Sequence, residues 1–436
     1  MSRARRWILA AAGLVVAGAV AIVIAAWVWL PSDAEVGARI RAEFMQRTGV
    51  ELDIKNVHWS LWPQPMLVIE DASTRQAKPI VVRRLSLQAP WRSVLHREFH
   101  VEEVEIDGAV VPRQSLSDLH EHAQDSAPET GAWAAAAIPV EHLRFRDVTW
   151  VDRRDIELAY DGEVDFDADW RPRHARIARA ETTPPVQMRA EREGETDRWR
   201  VLIDVPGGTW NGDATWETKP DGRMAVHAQL EPKGVDVEAL ATAFKRRSVV
   251  AGRLSGKSDV NAEADKLTDL VASLRTRTRF AVKPARLTRF DLAKAVSSAG
   301  TSRGGQTPLD ELTGTVDTQM TDNGVIYRYT DLRARSGVLT ATGNVRLFNR
   351  KLDGEAAVDI VDGVVGVPLK IGGTVEQPEL SLTGGALTGA AIGTAVLPGV
   401  GTALGARIGQ QVERLFGSDD KKKPGKAPSP AATPRR

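Results

Sequence analysis

The sequence predicts a mainly β protein in which a single N-terminal transmembrane helix precedes an elongated, curled, groove-like antiparallel β-sheet, with a few short helices and a C-terminal glycine-rich helical hairpin. Three observations lead to this prediction. An uncharged apolar run opens the chain, apolar residues then recur mostly at every second position, and glycines recur at every fourth position near the C-terminal end. Alternation with a period of two is the pattern of strands that bury one face, so most of the chain is predicted to form a one-sided sheet.

The composition excludes several classes of function. At 436 residues the chain exceeds the usual size of one core, which indicates several domains or one elongated, repeating domain. The 58 Lys and Arg residues are balanced by 57 Asp and Glu residues, so the basic footprint of a nucleic-acid-binding protein is absent. The lack of cysteine excludes disulfides, thiolate catalysis and cysteine-based metal sites. The 12 tryptophans favour large apolar contacts on sheets, with carbohydrate stacking as the alternative.

The apolar run, Trp7–Leu30, is predicted to be a membrane anchor. Its 24 residues would form a helix about 36 Å long, enough to cross a hydrocarbon core of about 30 Å. A cleavable signal peptide has a shorter apolar core, and the Ala-x-Ala triplet at 19–21 lies in the middle of the run, so an uncleaved anchor is favoured. Arginines precede the run and acidic residues follow it, so residues 1–6 are predicted to be a cytoplasmic stub and the rest is predicted to be exported.

Residues 31–118 are predicted to form an N-terminal β module that begins with a short helix. The helix runs from Asp33 to Gly49, with Ser32 or Asp33 as its N-cap and Gly49 as its stop. The strands predicted to follow are residues 50–61, 66–69, 85–87 and 101–111. Residues 119–137 lose all periodicity and are predicted to be a loop or linker.

The sharpest alternation lies in the central region, residues 138–310. Between residues 156 and 170, apolar side chains fall on one parity and acidic side chains on the other. This pattern predicts a strand of roughly 15 residues in an antiparallel sheet with one wet face. The apolar parity supplies the residues predicted to line a groove, which are Ile156, Leu158, Tyr160, Val164, Phe166 and Trp170.

Noisier alternation recurs up to residue 360, interrupted by helical patches at 237–246 and 291–297 and by a loop at 298–308. With about 12 residues for each strand and its turn, the exported region would hold roughly 20 to 25 strands. Such one-sided strands can pack as a sandwich of two sheets, close on themselves, or curl into an open groove whose apolar face is available to a ligand. The predicted helices are too few to cover this face.

Residues 311–383 are predicted to form a C-terminal β region, and residues 384–416 a helical hairpin. The hairpin has two ridges of glycines four residues apart, a spacing that permits close helix packing in membranes. Each arm is too short to span a bilayer, so the hairpin either inserts at a membrane surface or covers the open end of the sheet in water. Its glycines are Gly385, Gly389, Gly393, Gly401, Gly405 and Gly409. Residues 417–436 are predicted to be a disordered basic tail.

No motif predicts catalysis, a cofactor or a metal site. Gly252–Ser258 looks like a P-loop fragment, but its glycines enclose only three residues where the phosphate cradle needs four. His120 and His122 have no further ligand nearby, so solvated loop histidines are favoured. The acidic parity of residues 157–169 could bind cations, but charges that alternate with apolar residues are typical of a solvated sheet face.

Both ends of the exported region resemble one known family. The string RTGVELDIKNVHWSLWPQPMLVIEDAS, residues 47–73, resembles the N-terminal signature of AsmA-family proteins, and VEEVEIDGAVV, residues 101–111, resembles the next strand of that family. Residues 312–382 resemble the AsmA C-terminal region, which ends in VPLKIGGTVEQPELSL. The resemblance implies a chorein-like module and a curled β-groove in the periplasm, related to bridge-like lipid-transfer proteins, on a single-pass anchor in the cell inner membrane.

The resemblance therefore implies a non-enzymatic role in lipid transport and outer-membrane biogenesis. The implied partners are phospholipid or another acyl-chain lipid, the inner membrane, and outer-membrane or envelope assembly proteins. An apolar groove holds acyl chains by contact area, at about 25 cal/mol per Å², and needs no directional bonds. A non-catalytic envelope scaffold with a closed sandwich is the alternative, and bound acyl chains would distinguish the two. An anchored hydrolase is disfavoured because no nucleophile and base pattern was found.

Overall fold

The computed structural model describes residues 32–60, 63–91, 101–116, 118–119, 140–167, 171–264, 270, 273–297, 304–321, 324–360 and 364–382. The predicted anchor, the predicted glycine hairpin with its tail, and Trp170 lie outside the described residues. Among the helices that are described, none has the length and apolar character needed to cross a membrane.

The described residues are mainly β, as predicted, with 21 strands and few helices. The helices are α1 (Asp33–Thr48), α2 (Val237–Ala243) and α3 (Leu292–Ser297). The strands are β1 (Leu52–Ser60), β2 (Met66–Thr74), β3 (Val81–Gln88), β4 (Val101–Pro112), β5 (Val140–Val151), β6 (Glu157–Phe166), β7 (Pro172–Arg179), β8 (Val186–Arg192), β9 (Arg198–Val205), β10 (Gly208–Thr218), β11 (Met224–Lys233), β12 (Val235–Asp236), β13 (Val250–Ala264), β14 (Arg275–Leu287), β15 (Thr307–Leu309), β16 (Glu311–Thr321), β17 (Gly324–Arg335), β18 (Leu339–Phe348), β19 (Lys351–Ile360), β20 (Val364–Gly373) and β21 (Pro378–Leu382).

The chain divides into two compact units. Unit 1 comprises residues 1–285 and 313–329, and unit 2 comprises residues 286–312 and 330–436. In unit 2, β18, β19, β20 and β21 pair in chain order, and every pairing is antiparallel. The candidate groove residues of the central region all belong to unit 1.

Helix α1 begins and ends where the sequence predicts. The backbone N–H of Glu35 donates to Ser32 Oγ at 3.4 Å, and the backbone N–H of Ser32 donates to Glu35 Oε2 at 2.9 Å, which completes a capping box. Gly49 follows the helix with a φ of 65°, a left-handed conformation that favours glycine at this position. The buried stripe of the helix, Val36, Ile40 and Phe44, has the four-residue spacing of one helix face, and the helix packs on β1.

The sheet of unit 1 follows the chain order closely. Strands β1 to β4 pair antiparallel, each with the next, and β5 to β11 do the same. One pairing departs from the antiparallel prediction, because β4 and β5 run parallel, with Val104 beside Leu143. A parallel pair needs a crossover of a dozen or more residues, and residues 113–139, which include the predicted linker, are long enough to supply it.

The predicted strand of roughly 15 residues is shorter than expected. Strand β6 has 10 residues, and Ile156 lies in the turn that precedes it. Its far end is marked by a register shift against β7 between Asp165 and Phe166. Alternation alone cannot locate such an end, because a turn that keeps the same parity leaves the sequence pattern intact.

The main core of unit 1 lies on one face of its sheet. Buried apolar side chains of α1 and of most strands from β2 to β12 form one continuous cluster. Helices α1 and α2 pack at β1 and at β12 and β13, so over the strands between them the sheet is the principal source of apolar partners. A flat sheet with one uncovered face would leave these side chains exposed, so within unit 1 the sheet curls onto its own apolar face.

Glycines on the apolar face permit this curvature. A Cβ atom at Gly212 in β10 would lie 1.9 Å from the carbonyl oxygen of Gln229 on the neighbouring strand. At Gly256 in β13 the corresponding distance, to the carbonyl oxygen of Arg279, would be 2.1 Å. No other residue can sit at such a close approach without moving the backbone, so these positions require glycine.

Candidate functional site

The groove residues predicted on β6 lie on one face and take part in the core of unit 1. Leu158, Tyr160 and Val164 are 3%, 1% and 3% exposed. Ile156 and Phe166 are half-buried and pack against the same cluster. Alternation in the sequence therefore identified the apolar face of this strand correctly, whereas a lipid-binding role for these residues stays a prediction.

The acidic parity of β6 makes ion pairs and hydrogen bonds on the other face. Asp165 lies 2.6 Å from Nδ1 of His142 and 3.7 Å from Nδ1 of His174, on the two neighbouring strands. Asp161 accepts a hydrogen bond of 2.8 Å from the backbone N–H of Asp147. These carboxylates thus pair with groups on neighbouring strands, as is expected on a solvated sheet face.

One row of cross-strand neighbours runs over the apolar face from β1 to β13. We call it the apolar row. Its members, each paired with the next, are Trp59, Leu67, Leu87, Val104, Leu143, Val164, Ala175, Ala190, Val201, Gly212, Leu230 and Ser258. At about 4.8 Å per strand the row is roughly 50 Å long when measured along the sheet. A continuous apolar path of this length is the main chemical feature of unit 1.

The size of the side chains changes along this face. In β5, Leu143, Phe145 and Trp150 are fully buried. From β10 onward the face contains glycine, alanine and serine together with half-buried larger residues such as Trp210 and Trp216. A second, smaller cluster, formed around Ala262, Ala264, Leu270, Leu274 and Met320, packs against Trp216 and its neighbours. The later strands thus leave more apolar surface uncovered than the earlier ones.

A second row on the same face, four residues away along β6 to β9, contains a buried arginine. Its members on β4 to β9 are Ala109, Val148, Tyr160, Arg179, Val186 and Val205. Arg179, the charged member of this row, has a side chain that is 1% exposed. The alternation of Ala175, Ile177 and Arg179 in the sequence places this arginine on the apolar parity, which is the local signal of its burial.

The guanidinium of Arg179 lies between two aromatic rings. Its central carbon is 5.6 Å from the ring centroid of Tyr160 and 5.7 Å from that of Phe244, which are distances for cation–π attraction. Nη1 donates to the carbonyl oxygen of Ala243, the last residue of α2, and Nη2 lies 3.4 Å from a carboxylate oxygen of Glu181. Arg179 therefore joins β7 to the turn that follows α2.

A second arginine, Arg246, follows in the same turn and has a side chain that is 32% exposed. Arg246 donates through Nη2 to Asp152, in the turn between β5 and β6. The same carboxylate accepts backbone N–H bonds from Arg154 at 2.7 Å and from Ile156 at 3.0 Å. Burial alone would raise the pKa of Asp152, but the hydrogen bonds from Arg246 and the two backbone groups outweigh it and hold the pKa below its ordinary value.

Two tyrosines of β17 also belong to unit 1. Burial raises the pKa of Tyr327 above its ordinary value, and Arg246 and Arg154 oppose that rise. Burial also raises the pKa of Tyr329, and the neighbouring Tyr327 adds to that effect. Both hydroxyls are therefore neutral at physiological pH, and Tyr327 lies within electrostatic reach of the arginines around Asp152.

The chain matches no protein-family model, no curated protein and no solved structure. Within the part of the chain that the structure describes, no cluster of three or more His, Cys, Asp or Glu side chains could hold a metal ion. The segment Gly252–Ser258 lies inside β13, so its backbone is a strand and not a phosphate-binding loop. Unit 1 thus has an apolar face that includes one buried arginine, Arg179, with the partly buried Arg246 in the turn that contacts it.

Proposed function

We propose that this protein is a non-enzymatic lipid-handling protein of the AsmA type. In this proposal the N-terminal run anchors the chain in the inner membrane and the β region lies in the periplasm. The protein binds or transfers phospholipid along its apolar face and thereby contributes to outer-membrane biogenesis. The observation that carries the proposal is the apolar row, which crosses twelve strands on one face of unit 1.

Acyl chains are bound through apolar contact area and not through directional hydrogen bonds. Acyl chains have no hydrogen-bonding groups, so a protein that moves them needs continuous apolar contact and no precise polar geometry. A row of roughly 50 Å exceeds the length of one acyl chain, and positions along it are chemically similar, so a bound chain can slide at little cost in free energy. The half-buried side chains from β9 onward are the best candidates for direct contact, because side chains that are already fully buried have little surface left to offer.

The test is to identify lipids bound to the purified protein. The full chain is extracted with a detergent that carries no acyl chain, and the intact protein is analysed by native mass spectrometry. We expect at least about one phospholipid molecule to co-purify with each chain. A stable, folded protein without lipid would show that the apolar faces close on each other, and the scaffold hypothesis would replace this proposal.

Two adjacent residues provide a matched pair of variants. Val201 lies in the apolar row and is half-buried, whereas its neighbour Leu202 is half-buried on the opposite face, beside Arg189. Val201→Glu places a carboxylate among the apolar contacts and should reduce bound phospholipid at least tenfold, while Leu202→Glu should leave it unchanged. Equal lipid content in the two variants, both folded by circular dichroism, would exclude this face as the binding surface.

A further inference from the structure

Arg179 occupies a position that an apolar residue would fill more easily. Its neighbours in the same row, Tyr160 and Val186, are each 1% exposed. Burial of a cation is costly unless its charge is neutralised and its N–H groups are bonded. An arginine in such a row therefore needs a reason beyond packing.

The polar partners of the two arginines are incomplete. Nε of Arg179 and Nη1 of Arg246 are both buried and have no hydrogen-bond acceptor within the described part of the chain. The two side chains are held by the same turn, since Arg179 donates to the carbonyl oxygen of Ala243 and Arg246 follows three residues later. Two buried N–H donors with positive charge, both unpaired, are what an anion would require.

The carboxylate that pairs with Arg179 is exchangeable. Glu181 is 56% exposed, and its oxygen is 3.4 Å from Nη2, a long contact for a charge-assisted hydrogen bond. Asp152, by contrast, is 18% exposed and holds Arg246 together with two backbone N–H groups. An incoming anion would therefore displace Glu181 first and leave the bonds to Ala243 and Asp152 in place.

We propose that Arg179, assisted by Arg246, binds the phosphate of an anionic lipid headgroup whose acyl chains lie along the apolar face. This proposal rests on the lipid-handling function and specifies which class of lipid the face accepts. Guanidinium groups bind phosphate oxygens in a planar, bidentate geometry. The rings of Tyr160 and Phe244 hold the guanidinium of Arg179 in position. Lys245 and Arg247, both exposed in the same turn, extend the positive charge toward solvent.

The test compares three probes on the full chain in a detergent without acyl chains. The probes are dioleoylphosphatidylglycerol, dioleoylglycerol, which has the same chains and no phosphate, and inorganic phosphate. Native mass spectrometry measures the dissociation constant of each lipid, and isothermal titration calorimetry measures that of phosphate. We expect the phosphatidylglycerol to bind at least tenfold more tightly than the dioleoylglycerol, since a charge-assisted hydrogen bond contributes about that much.

Three variants separate the headgroup site from the apolar face. Arg179→Met keeps the volume of the row without its charge and should remove the preference for phosphatidylglycerol while leaving dioleoylglycerol binding unchanged. Glu181→Gln removes the competing carboxylate and should strengthen phosphatidylglycerol binding severalfold, a gain that a purely structural Arg179 would not produce. Arg176→Met changes an exposed arginine on the opposite face of the same strand and should have no effect.

The outcomes distinguish this proposal from the one on which it rests. If the wild-type chain binds both lipids equally, the headgroup site is overturned and the lipid-handling function stands. If it binds neither lipid, the lipid-handling function fails as well. If inorganic phosphate binds and competes as strongly as the phosphatidylglycerol, the site serves soluble phosphate and the lipid headgroup is excluded.

Discussion

Two regions of unit 1 use the same alternation for different purposes. In strands β4 to β6 the inward positions carry bulky apolar residues that are fully buried, such as Val104, Phe145 and Trp150. In strands β10 to β13 the inward positions carry small residues, Gly212 and Gly256 among them, and half-buried tryptophans, Trp210 and Trp216, together with buried residues such as Leu230. Both regions consist of one-sided strands, but the second has smaller inward side chains and leaves its large tryptophans partly exposed.

This difference shows that alternation alone does not distinguish a face that packs into the core from a face that can bind a ligand. The volume of the side chains on the face distinguishes them. A face filled with its own side chains stabilises the fold, since each buried residue excludes water from its neighbours. A face with glycines curves more tightly and leaves apolar surface uncovered, which a ligand can cover. Stability and lipid binding should therefore respond to different substitutions.

The largest expected effect lies in the bulky region. Trp150 in β5 is 1% exposed, so Trp150→Ala would leave a large cavity and should lower the free energy of unfolding by about 3 to 5 kcal/mol. Urea unfolding followed by far-ultraviolet circular dichroism measures this loss. Trp91→Ala changes an exposed tryptophan and should cost less than about 1 kcal/mol. Similar losses in both variants would show that the face at β5 is not the core.

The second effect concerns curvature in the later strands. A side chain at Gly212 would collide with the carbonyl oxygen of Gln229, so Gly212→Val should destabilise unit 1 by about 1 to 3 kcal/mol. Asp213→Val, at the exposed neighbour on the other face, is the matched control and should change stability by less than about 0.5 kcal/mol. Urea unfolding measures the stability of both variants. If Gly212→Val is as stable as Asp213→Val, the strands do not need this close approach.

The sequence predicted part of this picture for identifiable reasons. The capping box of α1 and the faces of β6 depend on the spacing of nearby residues, so both can be recognised from the sequence. The parallel pairing of β4 with β5 was missed, because it depends on a partner reached only after a long connection. The contacts of Arg179 were missed for the same reason, since its partners Ala243 and Phe244 lie more than 60 residues away in the chain.

The third effect separates binding from stability. Trp216 is half-buried and its ring lies 6.2 Å from that of Trp199, so it still has apolar surface to offer. Trp216→Ala should weaken phospholipid binding by roughly 1 to 3 kcal/mol, which is about 5-fold to about 150-fold, while costing less stability than Trp150→Ala. Native mass spectrometry with dioleoylphosphatidylglycerol measures the first quantity and urea unfolding the second. If Trp216→Ala destabilises the protein as strongly as Trp150→Ala, the two regions do not differ in function.

The smallest expected effect is the pH dependence of the turn that closes the bulky region. Asp152 has a pKa that is lowered in the folded protein, so its ionised form stabilises folding above the unfolded pKa of about 3.9. That contribution is lost as the pH falls through the lower, folded value. Urea midpoints between pH 3 and 7 should therefore decline more steeply below pH 4 for the wild-type chain than for Asp152→Asn. Because Asp152 accepts the hydrogen bond of Arg246, parallel declines in the two proteins would mean that this ion pair contributes nothing to folding.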